Sequence, residues 1–346
     1  MRRDNLVEAV LAACRADLVL QGGGRLVVAF SGGPDSTALL HGLWRAAPAL
    51  RLELFPVHVH HGMRAAADGD AEHAVRFGAE LGLAVEVIKV QPAGRGEDAA
   101  RRARHGALER AADRNACESI AVGHTLDDQA ETVLLHLLRG SGVGGLGAMS
   151  VRDGRRFRPL LGIRRERVSL YCSRHGLSPV VDESNVDPAY TRNRVRAELL
   201  PLLERRFNPR VVEALSHLAT AARQEHEVVT RVAESWRETW AGNIPRGAFL
   251  ALPEAIQVEV LRRAWADGAG LETRPGGARR VSQALAMIRS GRVGMIQLGT
   301  GVELHADAEK VAIRSPGTAR DAPAVIPTPS QNPQSAVLRS EDAPAT

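Results

Sequence analysis

A stretch of small and polar residues stands between the apolar run at 26–30 and a helical pattern that begins at Ser36. Its members are Ser31, Gly32, Gly33, Pro34, Asp35 and Ser36. Glycines let the backbone approach a ligand closely, and hydroxyls beside the free N–H groups of a helix N-terminus favour an anion. The stretch predicts a phosphate-binding turn, although the same residues also suit an ordinary turn with an N-cap.

The turn lacks the lysine of a Walker phosphate loop, because the only lysines of the chain are Lys89 and Lys310. An acidic residue, Asp35, stands where phosphate would bind. A carboxylate fits that place as a ligand of the divalent cation that accompanies a phosphate. We therefore predict that Asp35 binds a metal ion, with Mg²⁺ as the cation.

A second candidate stretch, residues 123–146, also begins at a predicted strand end and enters a helix. If this helix starts near Asp127, the carboxylates of Asp128 and Glu131 share one face. They could ligate Mg²⁺ together with phosphate oxygens, or they could cap the helix and complement its dipole. Both alternatives stay open. Arg139 follows in a glycine-rich loop that could add a positive charge and free N–H groups.

A third candidate stretch, residues 182–201, carries three arginines close to Tyr190. These are Arg192, Arg194 and Arg196. Arginine beside an aromatic ring suits phosphate contact and base stacking. A solvated helical face is the alternative.

The elements that would position these residues alternate along the first part of the chain. Apolar runs predict strands at 26–30, 52–59, 84–90 and 119–123, and amphipathic patterns predict helices at 36–46, 68–81, 99–114 and 128–138. Such alternation predicts an α/β fold with a doubly wound parallel sheet. Ligands of these sheets bind at the carboxyl ends of the strands, where the candidate stretches lie.

A second, mainly helical domain is predicted after residue 205. Its helices fall at 209–240, 254–266 and 281–289, and short strands follow at 293–298, 302–306 and 310–314. We predict a catalytic domain at 1–205, a helical domain at 206–314 and a disordered tail at 315–346, which has too little apolar content to pack.

Composition narrows the class of protein. The 346 residues include 45 Lys+Arg and 40 Asp+Glu, a net charge of +5 that is compatible with nucleic acid binding. Nearly all of the positive charge is arginine, which a biased genome would also produce. The three cysteines are isolated, so neither a zinc site nor a disulfide framework is indicated. No long apolar span is present, and we expect a cytoplasmic protein without a membrane partner.

Five motifs together resemble one family. They read SGGPDS, HVHHGMR at 58–64, GHTLDDQAETVLLHLLRGSGVGGL, RPLL at 158–161 and DESNVDPAYTRNRVR. Over residues 25–205 their order and spacing are similar to those of the bacterial tRNA(Ile)-lysidine synthetases, which belong to the PP-loop ATP pyrophosphatases. The first motif alone also occurs in GMP, NAD and asparagine synthetases.

The resemblance implies an adenine nucleotide alpha hydrolase-like fold and an ATP-dependent ligase. ATP would adenylylate the C2 oxygen of the wobble cytidine in the isoleucine tRNA with a CAU anticodon. Free L-lysine would then attack C2, so that lysidine forms and AMP and pyrophosphate are released. The resemblance does not decide whether the chain forms a homodimer.

The resemblance also implies roles for individual residues. Asp35, Asp128 and Glu131 would be catalytic, and the last two would hold either the lysine ammonium or metal. The turn at 31–36 would bind the nucleotide with His61, Arg64 and His124. The predicted tRNA contacts are Arg101, Arg104, Arg139, Arg192, Arg194 and Arg196.

The chain departs from the family pattern at His60, where asparagine is usual, and at Arg102 and His105.

Three rival classes of protein fit the sequence less well. A tRNA thiolase would be expected to have paired cysteines, and an amidotransferase-type synthetase would need a glutaminase segment. A regulator that only binds nucleotide would not need Asp35, Asp128 and Glu131 together.

Overall fold

A computed structural model describes residues 5–20, 22–60, 67–91, 94, 97–180, 190–240, 243–270 and 277–315. The chain divides into two compact units, Met1–His226 and Glu227–Thr346. The division falls inside the long helix Val211–Trp240. The predicted domain boundary after residue 205 stays a prediction.

The first unit is built on a six-stranded sheet. Its strands are β1 (Gly24–Ala29), β2 (Leu52–His60), β3 (Glu86–Lys89), β4 (Ser119–Ala121), β5 (Arg152–Asp153) and β6 (Arg156–Phe157). They lie in the order β3-β2-β1-β4-β6-β5, and all neighbours are parallel except the β5–β6 hairpin. This sheet confirms the predicted α/β fold class.

Helices cover both faces of the sheet. They are α1 (Asn5–Ala16), α2 (Pro34–Leu50), α3 (Ala67–Glu80), α4 (Glu97–Arg114), α5 (Leu126–Leu138), α6 (Val143–Leu146) and α7 (Arg165–Arg174). Leu26 and Val28 of β1 pack with α1, α2, α3 and α7, whereas Val27 packs with α4 on the opposite face. Because β1 is buried on both faces, its sequence is a continuous apolar run and not an alternating one.

A third apolar cluster joins α5 to the chain that follows the sheet. That chain forms α8 (Thr191–Arg194), a π-helical turn (Val195–Leu199), α9 (Leu200–Arg206) and the start of α10 (Val211–Trp240). Leu126, Ala130 and Leu134 of α5 pack against Val195 and Leu200. This packing brings the arginines around residue 194 to the N-terminal half of α5.

The second unit combines helices with a separate antiparallel sheet. After α10 it contains β7 (Asn243–Pro245), α11 (Arg246–Leu250), α12 (Glu254–Gly268), α13 (Ala278–Arg289), β8 (Gly294–Gly299), β9 (Val302–Ala306) and β10 (Lys310–Arg314). The sheet order is β7-β10-β9-β8. Its core includes Phe249, Leu261, Ile288 and Leu298.

Most predicted elements agree with the structure to within a few residues. The helix predicted at 36–46 continues to Leu50, with Pro48 in its last turn. Helices α1 and α7 and the β5–β6 hairpin were not predicted. The predicted disordered tail, apart from Ser315, lies outside the described residues. Among the described helices, none is long and apolar enough to cross a bilayer.

Candidate active site

The glycine-rich turn after β1 is held in place by its own hydroxyls. Ser36 Oγ donates to the Gly33 carbonyl (3.0 Å) and accepts from the Ser31 N–H (3.2 Å), and Thr37 Oγ1 donates to the Gly32 carbonyl (3.0 Å). Gly32 has φ +84°, a conformation that favours glycine. Gly33 caps α2 without a side-chain hydrogen bond. The first turn of α2 is therefore open to an anion.

Asp35 lies in that first turn with one oxygen unpartnered. Its Oδ1 is buried and has no hydrogen-bond partner, and its Oδ2 lies 3.8 Å from Arg165 Nε. Burial, and then the charge of Asp128, raise the pKa of Asp35 to about 6, although Arg165 and Arg196 act in the opposite direction. A cation beside Oδ1 would therefore stabilise the ionised form of Asp35.

Gly123, after β4, approaches the phosphate turn more closely than any larger residue could. A Cβ at this position would stand 3.0 Å from the carbonyl carbon and oxygen of Asp35. Such a contact is unusually tight, so the chain at Asp35 would have to move by a few tenths of an ångström to admit a Cβ. The absence of a side chain at Gly123 thus lets the two strand ends lie this close together.

Helix α5 begins with a reciprocal cap. Asp128 Oδ2 accepts from the N–H (2.8 Å) and the hydroxyl (2.7 Å) of Thr125, and Thr125 Oγ1 accepts from the Asp128 N–H (3.4 Å). The capping alternative for Asp128 is therefore realised, through one of its two oxygens. The other oxygen is left for the site.

Three guanidinium groups converge on Asp128 and Glu131. Asp128 Oδ1 lies 2.9 Å from Arg165 Nη2, 3.2 Å from Arg192 Nη2 and 3.3 Å from Arg196 Nη2. Glu131, whose side chain is fully buried, accepts from Arg165 (3.0 Å), Arg192 (3.0 Å) and Arg196 (2.7 Å). The two carboxylates share one face of α5, as predicted, and they bind the same three arginines.

We call these five residues and Asp35 the charge cluster. With all groups ionised, its three carboxylates balance its three guanidinium groups. Burial alone would raise the pKa of Asp128, but Arg165 and Arg192, with the Thr125 N–H, outweigh it and hold this pKa below its ordinary value. Burial likewise opposes the charge on Arg165, but Asp128, Glu131 and Asp35 outweigh it and raise its pKa.

Sequence reasoning missed Arg164 and Arg165, which lie at the start of α7. Asp127 accepts from the Arg165 N–H (2.7 Å) and from Arg164 Nε (3.3 Å), so it caps α7 instead of entering the charge cluster. Arg164 also pairs with Glu204 and Glu213 and ties α9 and α10 to α5. The only sequence signal was a pair of arginines shortly after the RPLL motif in an arginine-rich chain.

A basic cluster lies beside the charge cluster, around two half-buried histidines, each with one buried ring nitrogen. His124 Nδ1 and His105 Nε2 have no hydrogen-bond partner. Burial, reinforced by Arg158, Arg192 and Arg101, lowers the pKa of His124 to about 3, although Asp128 acts in the opposite direction. Burial followed by arginine charges lowers the pKa of His105 to about 4. Both rings are therefore neutral at pH 7.

Arg101 and Arg104, two of the predicted tRNA contacts, belong to this basic cluster, because their charges act on His105. Arg158 is almost fully buried and donates to the Ser150 carbonyl (2.9 Å). Arg156 completes the cluster through its charge on both His105 and Arg158. The cluster concentrates positive charge near the carboxyl end of β4.

Of the predicted residues that the structure describes, Arg139 and Arg194 lie in neither cluster. Arg139 follows α5 and is exposed, and Arg194 is exposed with Nη2 3.4 Å from Thr191 Oγ1. The structure does not describe His61, Arg64 or residues 182–189 of the third candidate stretch. Arg192 and Arg196, predicted to contact RNA, instead place their guanidinium groups on Asp128 and Glu131 in this structure.

Within the described residues, no group of three or more His, Cys, Asp or Glu side chains is placed to hold a metal ion. Mg²⁺ needs no such cage, because it commonly binds one or two carboxylates together with substrate phosphates and water. Asp35, with its buried and unpartnered Oδ1, fits that pattern. Asp128 and Glu131 do not fit it here, because their oxygens already accept from the cap and from guanidinium groups.

Comparison with known proteins agrees with this geometry. A family model described as the PP-loop domain matches residues 6–203. The tRNA(Ile)-lysidine synthase of Thermobifida fusca is 42% identical over 265 residues, which are 73% of this chain and 80% of that protein. The chain belongs to the tRNA(Ile)-lysidine synthase family. The Streptomyces coelicolor member is 40% identical and covers 73% of each chain.

Members of the family differ in length. The match to the Symbiobacterium thermophilum enzyme, 41% identical, covers 64% of this chain but 49% of that protein. Among solved structures, the U34-tRNA thiolase of Methanococcus maripaludis has a TM-score of 0.54 and 18% identity, and covers 64% of this chain and 81% of that one. At this identity the likeness concerns the fold alone.

Proposed function

We propose that this chain is an ATP-dependent ligase that forms lysidine in tRNA(Ile), and that the charge cluster beside the phosphate turn is where the reaction occurs. Membership of the tRNA(Ile)-lysidine synthase family supports the reaction class. One observation carries the assignment of the site: Arg165 contacts both Asp35 (3.8 Å) and Asp128 (2.9 Å), so carboxylates that follow two separate strands lie together beside the open N-terminus of α2. The acceptor is the wobble cytidine of the CAU anticodon, and the tRNA and ATP substrates place the protein in the cytoplasm.

ATP binds with its phosphates on the turn at residues 31–36. The N–H groups of α2 and the hydroxyls of Ser31 and Ser36 face the pyrophosphate leaving group. Asp35 holds Mg²⁺ through Oδ1. When bound, the ion spreads the negative charge that develops on pyrophosphate. His124, neutral and with a free Nδ1, offers a hydrogen bond to the nucleotide without adding charge.

Free lysine binds at Asp128 and Glu131. These carboxylates already accept from guanidinium groups, so a lysine ammonium reaches them by replacing one guanidinium. The exchange keeps the charge balance of the site. Arg192 and Arg196 stand on α8 and the π-helical turn, and either one can then turn to a phosphate of the adenylate or of the tRNA. In this way the same arginines serve the predicted RNA contact.

The tRNA is held by positive charge around this site. We assign phosphate contacts to Arg101 and Arg104 of the basic cluster and to the exposed Arg139 and Arg194. The anticodon loop is single-stranded, so its bases can be splayed out and read. We assign residues 1–205 to catalysis and 206–314 to further tRNA binding, and sedimentation would decide between a monomer and a homodimer.

Product analysis tests this assignment. With tRNA(Ile) transcript, lysine and ATP, we expect AMP and lysidine in equal amounts and no ADP. Asp35→Asn should lower the rate by about 10²–10³-fold with unchanged unfolding, because it weakens a cation ligand without opening a cavity. Glu72→Gln is the matched control, since Glu72 stands on α3 with its side chain 73% exposed and pairs with the exposed Arg76.

Two results would contradict the proposal. Release of ADP would exclude cleavage between the α- and β-phosphates. Full activity of Asp35→Asn, or an equal loss in Glu72→Gln, would remove Asp35 from the reaction.

A further inference from the structure

A basic groove lies between the end of β3 and one face of α4. It has a volume of about 430 Å³ and is open to solvent. Three cationic residues line it, namely Lys89, Arg102 and Arg110. Among the lining residues whose side chains the structure describes, none is acidic. The groove takes no part in the charge cluster or the basic cluster described above.

The shape of the groove follows from the spacing along α4. Arg102, Gly106 and Arg110 are four residues apart and share a face of the helix. A Cβ at Gly106 would stand 3.3 Å from Arg110 Nη1, so the Arg110 guanidinium lies over the bare backbone of Gly106. Arg102 and Arg110 are separated by roughly 12 Å along the axis. At ~3.4 Å per nucleotide, that span corresponds to three to four phosphates of a stacked strand.

The cations of the groove are available to a ligand. Within the part of the chain that the structure describes, Arg102 and Arg110 are exposed and make no ion pair. Lys89 lies 3.9 Å from Asp68, and both side chains are more than three-quarters exposed. An exposed pair of this kind contributes little and is readily replaced by a phosphate.

The groove also lies at the carboxyl ends of the parallel strands, where ligands of such sheets bind. Lys89 is the last residue of β3, and β3 is separated from β1 by one strand. With strands about 4.8 Å apart, the carboxyl end of β3 is roughly 10 Å from that of β1, where the phosphate turn begins. Arg101 and Arg104, assigned above to tRNA, stand on the same helix.

We propose that this groove binds the sugar–phosphate backbone of the substrate tRNA outside the reacting nucleotide. The inference rests on the proposed function for the identity of the RNA. An open groove with three cations and no aromatic lining suits a polyanion, whereas small-molecule sites are enclosed and mainly apolar. Because phosphates carry no sequence information, the contact positions the tRNA and does not select the base.

The salt dependence of tRNA binding tests this contact. The double variant Arg102→Ala/Arg110→Ala should raise the Kd for tRNA(Ile) about tenfold at low salt. It should also lower the slope of log Kd against log salt by about 1.4, because two fewer phosphates are neutralised. The KM values for ATP and lysine should not change.

A matched control removes the same charge from the opposite side of the sheet. Arg15 of α1 and Arg174 of α7 are exposed, and these helices pack on the face away from α4. Arg15→Ala/Arg174→Ala should leave the salt slope within about 0.3 of the wild type, because only charges that contact phosphate release counterions.

A second variant tests the groove with its arginines intact. Gly106→Glu places a carboxylate beside Arg110 in a helix that tolerates glutamate better than glycine. It should weaken tRNA binding as the double alanine variant does, whereas Gly106→Gln should have much less effect. Thermal unfolding of each variant checks the fold.

Three outcomes would overturn the inference. The first is a salt slope for the double variant equal to that of the control. The second is a raised KM for ATP with unchanged tRNA binding, which would make the groove a nucleotide site. The third is equal loss in Gly106→Glu and Gly106→Gln. A wild-type protein that binds tRNA with the expected slope but forms no lysidine would instead contradict the proposed function alone.

Discussion

Partly or fully buried arginines occur in both units, and their partners differ in kind. In the charge cluster, Arg165 donates to the carboxylates of Asp128 and Glu131. In the second unit, Arg246 is 5% exposed and donates to backbone carbonyls, which include Ile288 (3.1 Å from Nε) and Asp307 (2.5 Å from Nη1). One arginine therefore faces opposite charges, and the other faces neutral dipoles.

The difference indicates two roles for the same side chain. Ile288 lies in the last turn of α13, where carbonyls lack intrahelical partners, so Arg246 satisfies acceptors that the fold itself leaves open. No ligand can take its place. A guanidinium on a carboxylate can exchange partners with a phosphate and an ammonium without changing the net charge. Arg165 and its neighbours are thus suited to a reaction, and Arg246 to stability.

The largest expected effect is that of Arg165→Met on activity. The substitution removes the contact with both α5 carboxylates and the charge nearest to Asp35. We expect kcat/KM for lysine to fall about 10²–10³-fold, or roughly 3–4 kcal/mol. Arg167→Met, an exposed position on the same helix, is the control. Activity within threefold of wild type would place Arg165 with Arg246 as a structural residue.

Arg246→Met should act on stability instead. It leaves buried carbonyls at the end of α13 and at Asp307 without donors, which costs about 2–3 kcal/mol of unfolding free energy in the second unit. Hydrogen exchange of β9 and β10 would report it. Arg279→Met, at an exposed position of α13, should cost less than about 1 kcal/mol. A loss of activity with unchanged exchange would reverse the assignment.

The sequence was sufficient to place the carboxylates of the site but not their partners. Asp35 follows β1 and Asp128 follows β4, and the ends of neighbouring parallel strands must meet, so their proximity follows from strand–helix alternation. Arg165 could not be found this way, because it reaches Asp128 across 37 residues and from a helix that was not predicted. Its position depends on tertiary packing.

The sequence points to the arginines of the third candidate stretch, residues 182–201, but not to their contacts. Arginine binds carboxylate and phosphate equally well, so Arg192 and Arg196 suited RNA on sequence grounds alone. Only the packing of Val195 and Leu200 against α5 brings them to Glu131. The two-residue strands β5 and β6 were missed because they are too short for any periodicity.

Acid should lower the stability of the first unit more than that of the second. The pKa of His124, lowered to about 3, lies below its ordinary value, so between pH 6.5 and 3 the unfolded chain binds a proton that the folded chain does not. Stability of the first unit is therefore lost as the pH falls through this window. The carbonyls that hold Arg246 do not titrate. We expect urea unfolding followed at the first unit to weaken from pH 7 to 4, and exchange at β9 to change less.

His124→Gln identifies the source of that loss. The raised pKa of Asp35, about 6, acts in the opposite sense, since it adds stability as the pH falls toward 4. The comparison is therefore made between variant and wild type at each pH. As the pH decreases from 7 to 4, the free energy of unfolding should fall less in the variant than in the wild type. A constant difference would show that His124 does not contribute.

The smallest expected difference is the one between wild type and Arg246→Met in the rate of thiol labelling. All three cysteines lie in the first unit and are buried, and burial, reinforced by Asp17, raises the pKa of Cys14 to about 12. Iodoacetamide at pH 8 should therefore label the folded protein very slowly, in wild type and Arg246→Met alike. Faster labelling in Arg246→Met would show that loss of the second unit opens the first.

The close approach at Gly123 bears on how this protein can be altered. Because a single methyl group there would press on the carbonyl of Asp35, the spacing between ATP phosphates and the acidic helix is set by atomic contact, not by a hydrogen bond. A hydrogen bond can be rebuilt by another side chain, but a missing volume cannot. In a saturation library selected for lysidine formation, position 123 should return mainly glycine, with alanine as the substitution that a small shift at Asp35 could admit. Attempts to admit a longer amine should therefore remodel the carboxylates and leave this spacer untouched.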